Sequence, residues 1–366
     1  MGESGVKTLM IAGGGTGGHI YPAIAIAREY VARDKSRRVI FVGTERGLEK
    51  TIVPKAGFPL EFISVGGIKG KGGGELLRSV AQLPLGFAQA LRVVGKHQPS
   101  AVLGVGGYAS GPVLLAAMLR GIPTIIHEQN AFPGLTNRLL ARFVKKVVVA
   151  FPEALKGLNR PDGVVTGNPV RAEFFDANRK PQTTNRQRLL IFGGSQGSRV
   201  LNDAMIGALL FLSRLKDRAD IVHQTGANEL QKVQQAYRTS GAFPNARVIA
   251  YLDPIVNEIA AADLVVCRAG AMTIGELCAV GRAAIFVPFA AATNNHQEIN
   301  ARVIEQAGGG IVITEKELTP ERLSSAITEI ITNPERMRRM GEASRKLAAP
   351  EAAKKIVDSI ESIQRN

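Results

Sequence analysis

Two stretches of this chain place glycines where a backbone could close on an anion. Leu9-Met10-Ile11-Ala12 runs into Gly13-Gly14-Gly15-Thr16-Gly17-Gly18-His19, and Leu189-Leu190-Ile191-Phe192 runs into Gly193-Gly194-Ser195-Gln196-Gly197-Ser198. A short apolar run reads as a buried strand, and glycines after it let N–H groups approach a phosphate at the start of the next helix. Gly13, Gly15 and Gly18 also satisfy GxGxxG, which opens a dinucleotide-dehydrogenase reading. That reading needs an acidic ribose ligand after the second strand. The candidate, Glu45, is set back by Gly43-Thr44 and stands beside Arg46. His19 falls in the first turn of a helix, whose positive end disfavours an imidazolium and leaves a neutral base for a hydroxyl proton. A capping or structural histidine is the alternative.

Gly106-Gly107-Tyr108-Ala109-Ser110-Gly111-Pro112 is a third glycine loop, suited to a second phosphate or to a tight turn with Pro112 starting a helix. His127-Glu128-Gln129-Asn130 follows an apolar run directly, so polar side chains are expected at the carboxyl end of a sheet, where doubly wound folds bind ligands. In the second half, Arg268-Ala269-Gly270-Ala271-Met272-Thr273-Ile274-Gly275-Glu276 opens another helix. Thr273 is expected to cap it, its free N–H groups to hold a diphosphate, and Glu276 to accept from ribose hydroxyls. The spacing Thr-x-x-Glu fits a capping box equally well. Asn294-Asn295-His296-Gln297 offers amide groups suited to a sugar, and no Asp-x-Asp pair is present to bridge a metal to a nucleotide diphosphate. The protein itself would then neutralise that diphosphate, through helix ends and Arg171.

These loops need sheets to carry them. Behind the first loop, Pro22 to Ala32 has helical spacing, and Val39–Val42, Ala101–Leu103, Thr124–Ile126 and Lys146–Val149 are short apolar runs between helices. That rhythm implies a parallel sheet. It breaks at Gly167-Asn168-Pro169-Val170, and the polar stretch from Arg179 to Arg188 marks a boundary. It resumes with Leu189–Phe192, Ile221-Val222, Val248-Ile249, Leu264–Val266, Ala284–Val287 and Ile311–Ile313, and Pro334 to Gln364 reads as helix packing back on the first half.

The 366 residues suit two domains, and 45% hydrophobic with 21% charged residues suits a folded one. Cys267 and Cys278 lie in one apolar stretch with no Cys/His cluster, which points to a packing role in a reduced setting. Met1 to Val6 is short and polar, so no signal peptide is expected, and the uncharged stretch Ala101 to Leu119 is broken by glycines and Pro112 and reads as strand, loop and helix. Of the net charge of +15, residues 1–168 carry +11, with 21 Lys and Arg against 10 Asp and Glu; residues 169–366 hold 25 against 21. The basic half suggests an anionic partner: nucleic acid, a phosphorylated substrate or a membrane surface.

Gly14 to His19, Gly106 to Pro112, His127 to Asn130, Gly167 to Arg171, Gly193 to Gly197, Cys267 to Glu276 and His296-Gln297, in that order and spacing, closely resemble the MurG family of N-acetylglucosaminyltransferases, which convert lipid I to lipid II in bacterial cell-wall synthesis. The resemblance implies an α/β GT-B architecture with two Rossmann-like parallel-sheet domains facing across a cleft. Residues 1–168 with about 348–366 would form the acceptor- and membrane-binding domain, and 169–347 the UDP-sugar domain, with the C-terminal helix returning to the first. It implies inverting, metal-independent transfer from UDP-N-acetylglucosamine to the 4-hydroxyl of the muramyl sugar, with no cofactor. By position, His19 would be the base, supported by Glu128. The donor would be met by Thr16, Gly17, Gly18, Asn130, Arg171, Ser195, Leu252, Ala271, Met272, Thr273, Glu276, His296 and Gln297. The acceptor diphosphate would be met by Gly14, Gly15, Gly106, Gly107, Tyr108 and Ser110. Thr293-Asn294-Asn295 departs from the family, where an acidic residue often precedes the pair. Cell-wall synthesis and division proteins are further implied partners.

Leu76, Val80, Leu83, Phe87, Leu91 and Val94 form an apolar helical stripe flanked by Lys69, Lys71, Arg78, Arg92 and Lys96. With Leu77 and the Gly66 to Gly74 loop, this suits peripheral binding to the anionic cytoplasmic face of the inner membrane; a core-facing stripe is the alternative. Nucleic-acid binding lacks interleaved aromatics and a recognition motif. A GT-B enzyme with another glycolipid or natural-product acceptor would share the Glu276 motif and differ around Gly106 to Pro112 and His127 to Asn130.

Overall fold

The computed structural model describes residues 6–66, 83–177 and 186–364. The chain divides into two units, one of Met1–Arg171 with Ala349–Asn366 and one of Ala172–Ala348.

In the N-terminal unit, β1 (Thr8–Ala12), β2 (Arg38–Gly43), β3 (Leu60–Phe62), β4 (Ala101–Gly104), β5 (Thr124–Glu128), β6 (Lys146–Val149) and β7 (Val164–Val165) form one sheet in the order β3-β2-β1-β4-β5-β6-β7. Every pairing is parallel. The apolar runs are buried on both faces, as a helix-covered parallel sheet requires. Successive side chains point oppositely: Met10 and Ala12 pack with Val102, Ile126 and Val147 under the helices Leu83–His97 and Ser110–Leu119. Leu9 and Ile11 pack with Leu103, Ile125 and Val148 under the helices Gly17–Ala32 and Ala352–Gln364.

The stretch Pro334 to Gln364 splits. Only Ala352–Gln364 returns, burying Ile356, Val357, Ile360 and Ile363, and its Asp358 and Glu361 pair with Arg33 (2.7 Å) and Arg37 (2.6 Å). The helix Pro334–Lys346 stays in the C-terminal unit, where Met337 and Met340 join the core. Its apolar face is short and its remainder strongly charged, so the helix Ala271–Val280 and the strand Ala283–Phe286 suffice to cover it.

The C-terminal unit repeats the plan with β8 (Gln187–Phe192), β9 (Ala219–Gln224), β10 (Arg247–Ile249), β11 (Leu264–Cys267), β12 (Ala283–Phe286) and β13 (Gly310–Val312), ordered β10-β9-β8-β11-β12-β13 and all parallel. Leu189, Ile191, Leu264, Val266 and Ile285 pack with Leu201, Met205 and Leu209 of the helix Arg199–Leu212 and with Leu323 and Ile327 of the helix Pro320–Ile331. Both sheets reverse their strand order beside the central strand, between β1 and β4 and between β8 and β11, so the loops after those strands diverge and leave a crevice at the carboxyl end. Cys267 and Cys278 are buried free thiols; burial pushes Cys267 well up and Cys278 to about 11.

Lys69, Lys71, Leu76, Leu77 and Arg78 lie outside the described residues. In the described part of the apolar stripe, Phe87 and Leu91 pack against the core and Val94 is buried, which is the core-facing alternative. Among the described residues, no helix is long and apolar enough to cross a membrane.

Candidate active site

The first two glycine loops of the N-terminal unit touch one another at the strand-order reversal. Gly106 and Gly107 take φ of +92° and +83°, and a Cβ on Gly107 would stand 2.5 Å from the Gly14 carbonyl. A Cβ on Gly106 would come within 2.9 Å of His19 Cε1. The helix Gly17–Ala32 starts behind Thr16, whose extended backbone caps it while its side chain does not, so the Gly17 and Gly18 amides have no side-chain acceptor from the cap. His19 is in the first turn, as expected, and its Nδ1 lies 3.0 Å from Gln129 Oε1.

Glu128 does not contact His19. It ends β5 with 2% exposure: Oε1 accepts from the Asn130 N–H (3.0 Å) and Nδ2 (3.1 Å), and Oε2 accepts from the Gly134 N–H (2.9 Å) and Asn137 Nδ2 (2.8 Å). The carboxylate thus ties the loop after β5 to the helix Leu135–Leu140, and the residue in reach of His19 is Gln129. His127 is within β5 and fully buried, not on a solvent-facing loop; burial pushes its imidazole down to about 3, against the opposing Gly167 carbonyl. Side chains alternate along β5, so a run of four polar residues cannot all face solvent.

Gly15 is likewise not open to a phosphate through its amide. Its N–H donates to Glu49 Oε2 (2.7 Å), while Glu49 Oε1 accepts from Thr44 N and Oγ1, both at 2.9 Å. Glu49 is 2% exposed, and a Cβ on Gly14, Gly43 or Gly47 would collide with its side chain. The acidic residue that reaches the loop from beyond β2 is therefore Glu49 rather than Glu45, and it binds backbone, not a ribose. Ser110 begins the helix Ser110–Leu119 with its side chain fully buried against Gly104, a packing role instead of an anion contact. Tyr108 is exposed and Asn130 half-buried. The Arg171 guanidinium lies 5.3 Å above the Tyr21 ring, on the helix that carries His19.

In the C-terminal unit, Gly194 and Gly197 take φ of +92° and +74°, and Gly197 has no room for a Cβ beside the Thr225 carbonyl. This folds Ser195 and Gln196 outward, exposed, ahead of Ser198, which caps the helix Arg199–Leu212. Beneath the loop, buried Gln224 accepts from the Gly193 N–H (3.2 Å) and donates to the Ala250 carbonyl (3.0 Å). His223 next to it is held between Asn202 Oδ1 (3.1 Å) and the Tyr237 hydroxyl (3.2 Å), and burial pushes it down to about 3. These polar supports were not singled out in the sequence; a His-Gln pair closing a strand at the height of a glycine loop was the available signal.

After β11, Gly270 caps the helix Ala271–Val280, and no side chain does so. Thr273 is the third residue of the helix and not its N-cap, so the cap and capping-box expectations, which both need Thr273 ahead of the first turn, fail. The amides of Ala271, Met272 and Thr273 point out of the first turn, and Glu276, 9% exposed, sits close enough to Cys267 to raise its thiol further. Arg268 braces the turn, donating to the Val287 (3.1 Å) and Pro288 (3.2 Å) carbonyls and pairing with Glu315 at 2.6 Å. Leu252 is buried, and Gln297 Oε1 accepts from the Phe289 N–H (3.0 Å) on the helix His296–Gln306, where His296 is half-buried. Among the described residues no group of three His, Cys, Asp or Glu could hold a metal ion.

Most of each unit matches a known domain. Residues 9–149 match the glycosyltransferase family 28 N-terminal domain, and residues 188–356 match the family's C-terminal domain. The "UDP-N-acetylglucosamine--N-acetylmuramyl-(pentapeptide) pyrophosphoryl-undecaprenol N-acetylglucosamine transferase" of Myxococcus xanthus is 46% identical over 351 residues, 96% of this chain and 91% of that one. The chain belongs to this family of N-acetylglucosamine transferases. A family member from Pelobacter propionicus is 44% identical, covering 96% of this chain and 98% of its own. The crystal structure of Acinetobacter baumannii MurG superposes with a TM-score of 0.80 at 31% identity, over 97% of this chain and 99% of that one. The two Rossmann-like sheets are accordingly the GT-B architecture of this family.

Proposed function

We infer that this protein transfers N-acetylglucosamine from UDP-N-acetylglucosamine to the 4-hydroxyl of the muramyl sugar of lipid I, giving lipid II and UDP. Its membership of the transferase family over nearly the full chain supports this, and one observation carries the chemistry: His19 in a helix first turn with Nδ1 bonded to an amide, which leaves Nε2 for a proton. In the reaction the 4-hydroxyl oxygen attacks the anomeric carbon while Nε2 takes its proton. The bond from that carbon to UDP breaks, UDP leaves with the electron pair, and the configuration inverts.

The N-terminal unit supplies the base and the acceptor loops, with Gly106, Gly107 and Tyr108 as contacts for the acceptor diphosphate, and Gly17 and Gly18 as amides for a negative group. The C-terminal unit supplies the donor contacts: the first-turn amides of Ala271–Val280 and Ser195 for the diphosphate, Glu276 for the ribose, the backbone at Leu252 for the uracil, and Gln297 with His296 for the sugar. Donor contacts from Asn130, Thr16 and Arg171 belong to the same reading. Fixed N–H dipoles need no rearrangement as charge grows on the leaving diphosphate, so a metal is not required.

The protein docks peripherally on an anionic membrane where its lipid acceptor resides. Support comes from exposed Leu119, Leu135 and Leu139 on two neighbouring helices and Phe143 in the turn after the second, beside Arg120, Arg138, Arg142 and Lys145, together with the basic excess of residues 1–168. The decisive assay is UDP release with and without a short-chain lipid I analogue in excess EDTA. Acceptor-dependent release is expected. Saturable donor binding with no such release would require a different acceptor.

A further inference from the structure

His19 has two ring nitrogens, and only one can be the base. The Gln129 side chain is 1% exposed. Its Nε2 faces the Val105 carbonyl at 3.0 Å, His127 Nδ1 at 3.1 Å and the His127 carbonyl at 3.3 Å. A carbonyl can only accept, so the –NH2 end of the amide must point at Val105 and the oxygen must point the other way, at His19. His127 fits this arrangement because burial keeps it neutral, with a lone pair on Nδ1. The main chain of Gln129 is itself held, its carbonyl accepting from Asn168 Nδ2 at 3.0 Å.

An amide oxygen has no proton to give, so at 3.0 Å the His19 Nδ1 must be the donor. We propose that Gln129 is a positioning residue, fixing neutral His19 as the Nδ1–H tautomer with its lone pair on Nε2, and doing so through a neutral amide instead of a carboxylate. The inference rests on the reading of His19 as the base. The preference is opposite to that of imidazole side chains in water, where Nε2–H prevails, so the protein must impose it. Gly106 completes the constraint, since its missing Cβ lets the loop lie against Cε1 and confine the ring. The charged groups nearby do not supply the hydrogen bond. Both Glu49 oxygens are bonded to Gly15 and Thr44, both Glu128 oxygens face Asn130, Gly134 and Asn137, and Arg171 lies over Tyr21. A neutral partner adds no anionic stabilisation to the imidazolium, so the proton taken from the acceptor is readily passed on.

The test reads the tautomer and the rate separately. In 15N-histidine NMR of the parent protein at neutral pH, the His19 signals, assigned by their loss in His19→Gln, are expected to show a protonated Nδ1 and a bare Nε2. In Gln129→Met the Nε2–H form should rise, and kcat should fall about tenfold or more while KM for UDP-N-acetylglucosamine stays within about twofold. A bare Nδ1 in the parent would overturn the proposal, as would parental kcat in a folded Gln129→Met. Parental kcat in His19→Gln would instead remove the base reading, leaving the tautomer to be judged from the spectrum. If Gln129→Met does not fold, the parent spectrum still decides.

Discussion

Replacing Glu128 by Gln separates an architectural carboxylate from a catalytic one. Four donors converge on it in the structure, two per oxygen, and each oxygen receives one main-chain N–H: Asn130 on Oε1 and Gly134 on Oε2. The Asn130 and Asn137 amides can turn over and offer oxygen to a new –NH2 group. The two main-chain N–H groups cannot. Whichever way the substituted amide points, one part-buried backbone donor meets another donor, at about 1–3 kcal/mol, and the charge assistance of the other bonds is lost as well. The total is about 2–4 kcal/mol. For a unit of this size each kcal/mol moves the melting temperature by about 2–4 °C, so Glu128→Gln should melt about 5–15 °C lower. Measured well below that transition, its kcat should stay within about tenfold of the parent. An unchanged melting temperature combined with a thousandfold loss of kcat would refute the reasoning and make Glu128 part of the chemistry.

Three further outcomes are expected. His127 and His223 are held near 3 when folded and titrate near 6.5 when unfolded, so stability should be full above about pH 6.5 and fall as pH drops towards 3, at up to about 1.4 kcal/mol per pH unit for each unit of the chain. In melts from pH 8 to 4, His223→Gln should flatten the slope of the C-terminal unit, and an identical slope would contradict the sign or the site. Glu276→Ala should raise KM for UDP-N-acetylglucosamine about 10- to 100-fold, and the parent should show a similar loss towards 2′,3′-dideoxy-UDP as inhibitor; equal affinity of the variant for both inhibitors completes the ribose assignment, and a marked difference defeats it. Gly107→Ala places a methyl 2.5 Å from the Gly14 carbonyl at a φ of +83° and should reduce kcat at least tenfold with donor KM unchanged, whereas Gly241→Ala, at a φ of +61° with open space around it, should cost only about 1–2 kcal/mol of stability and no activity.

The sequence by itself located both sheets, because a strand buried on two faces must be a short unbroken apolar run. It placed the loops at Gly13, Gly106 and Gly193, since glycine is the residue that tolerates their φ and their contacts. It also carried the family resemblance, in motifs that are local in the chain. The short strands β3 and β7 were not legible: Leu60–Phe62 and Val164–Val165 are too brief and half-exposed to show a burial pattern. Nor did the apolar pattern separate the returning Ala352–Gln364 from Pro334–Lys346; only the family resemblance implied that division, which depends on which apolar face finds a partner. The site's polar wiring came only from tertiary structure. Glu49 reaches Gly15 across 34 residues and Gln129 reaches His19 across 110, partnerships set by the strand order β2-β1-β4-β5. Burial leaves a periodic trace along a chain, whereas a hydrogen bond between side chains on different strands depends on which strands are neighbours and in what register, and that is decided when the sheet assembles.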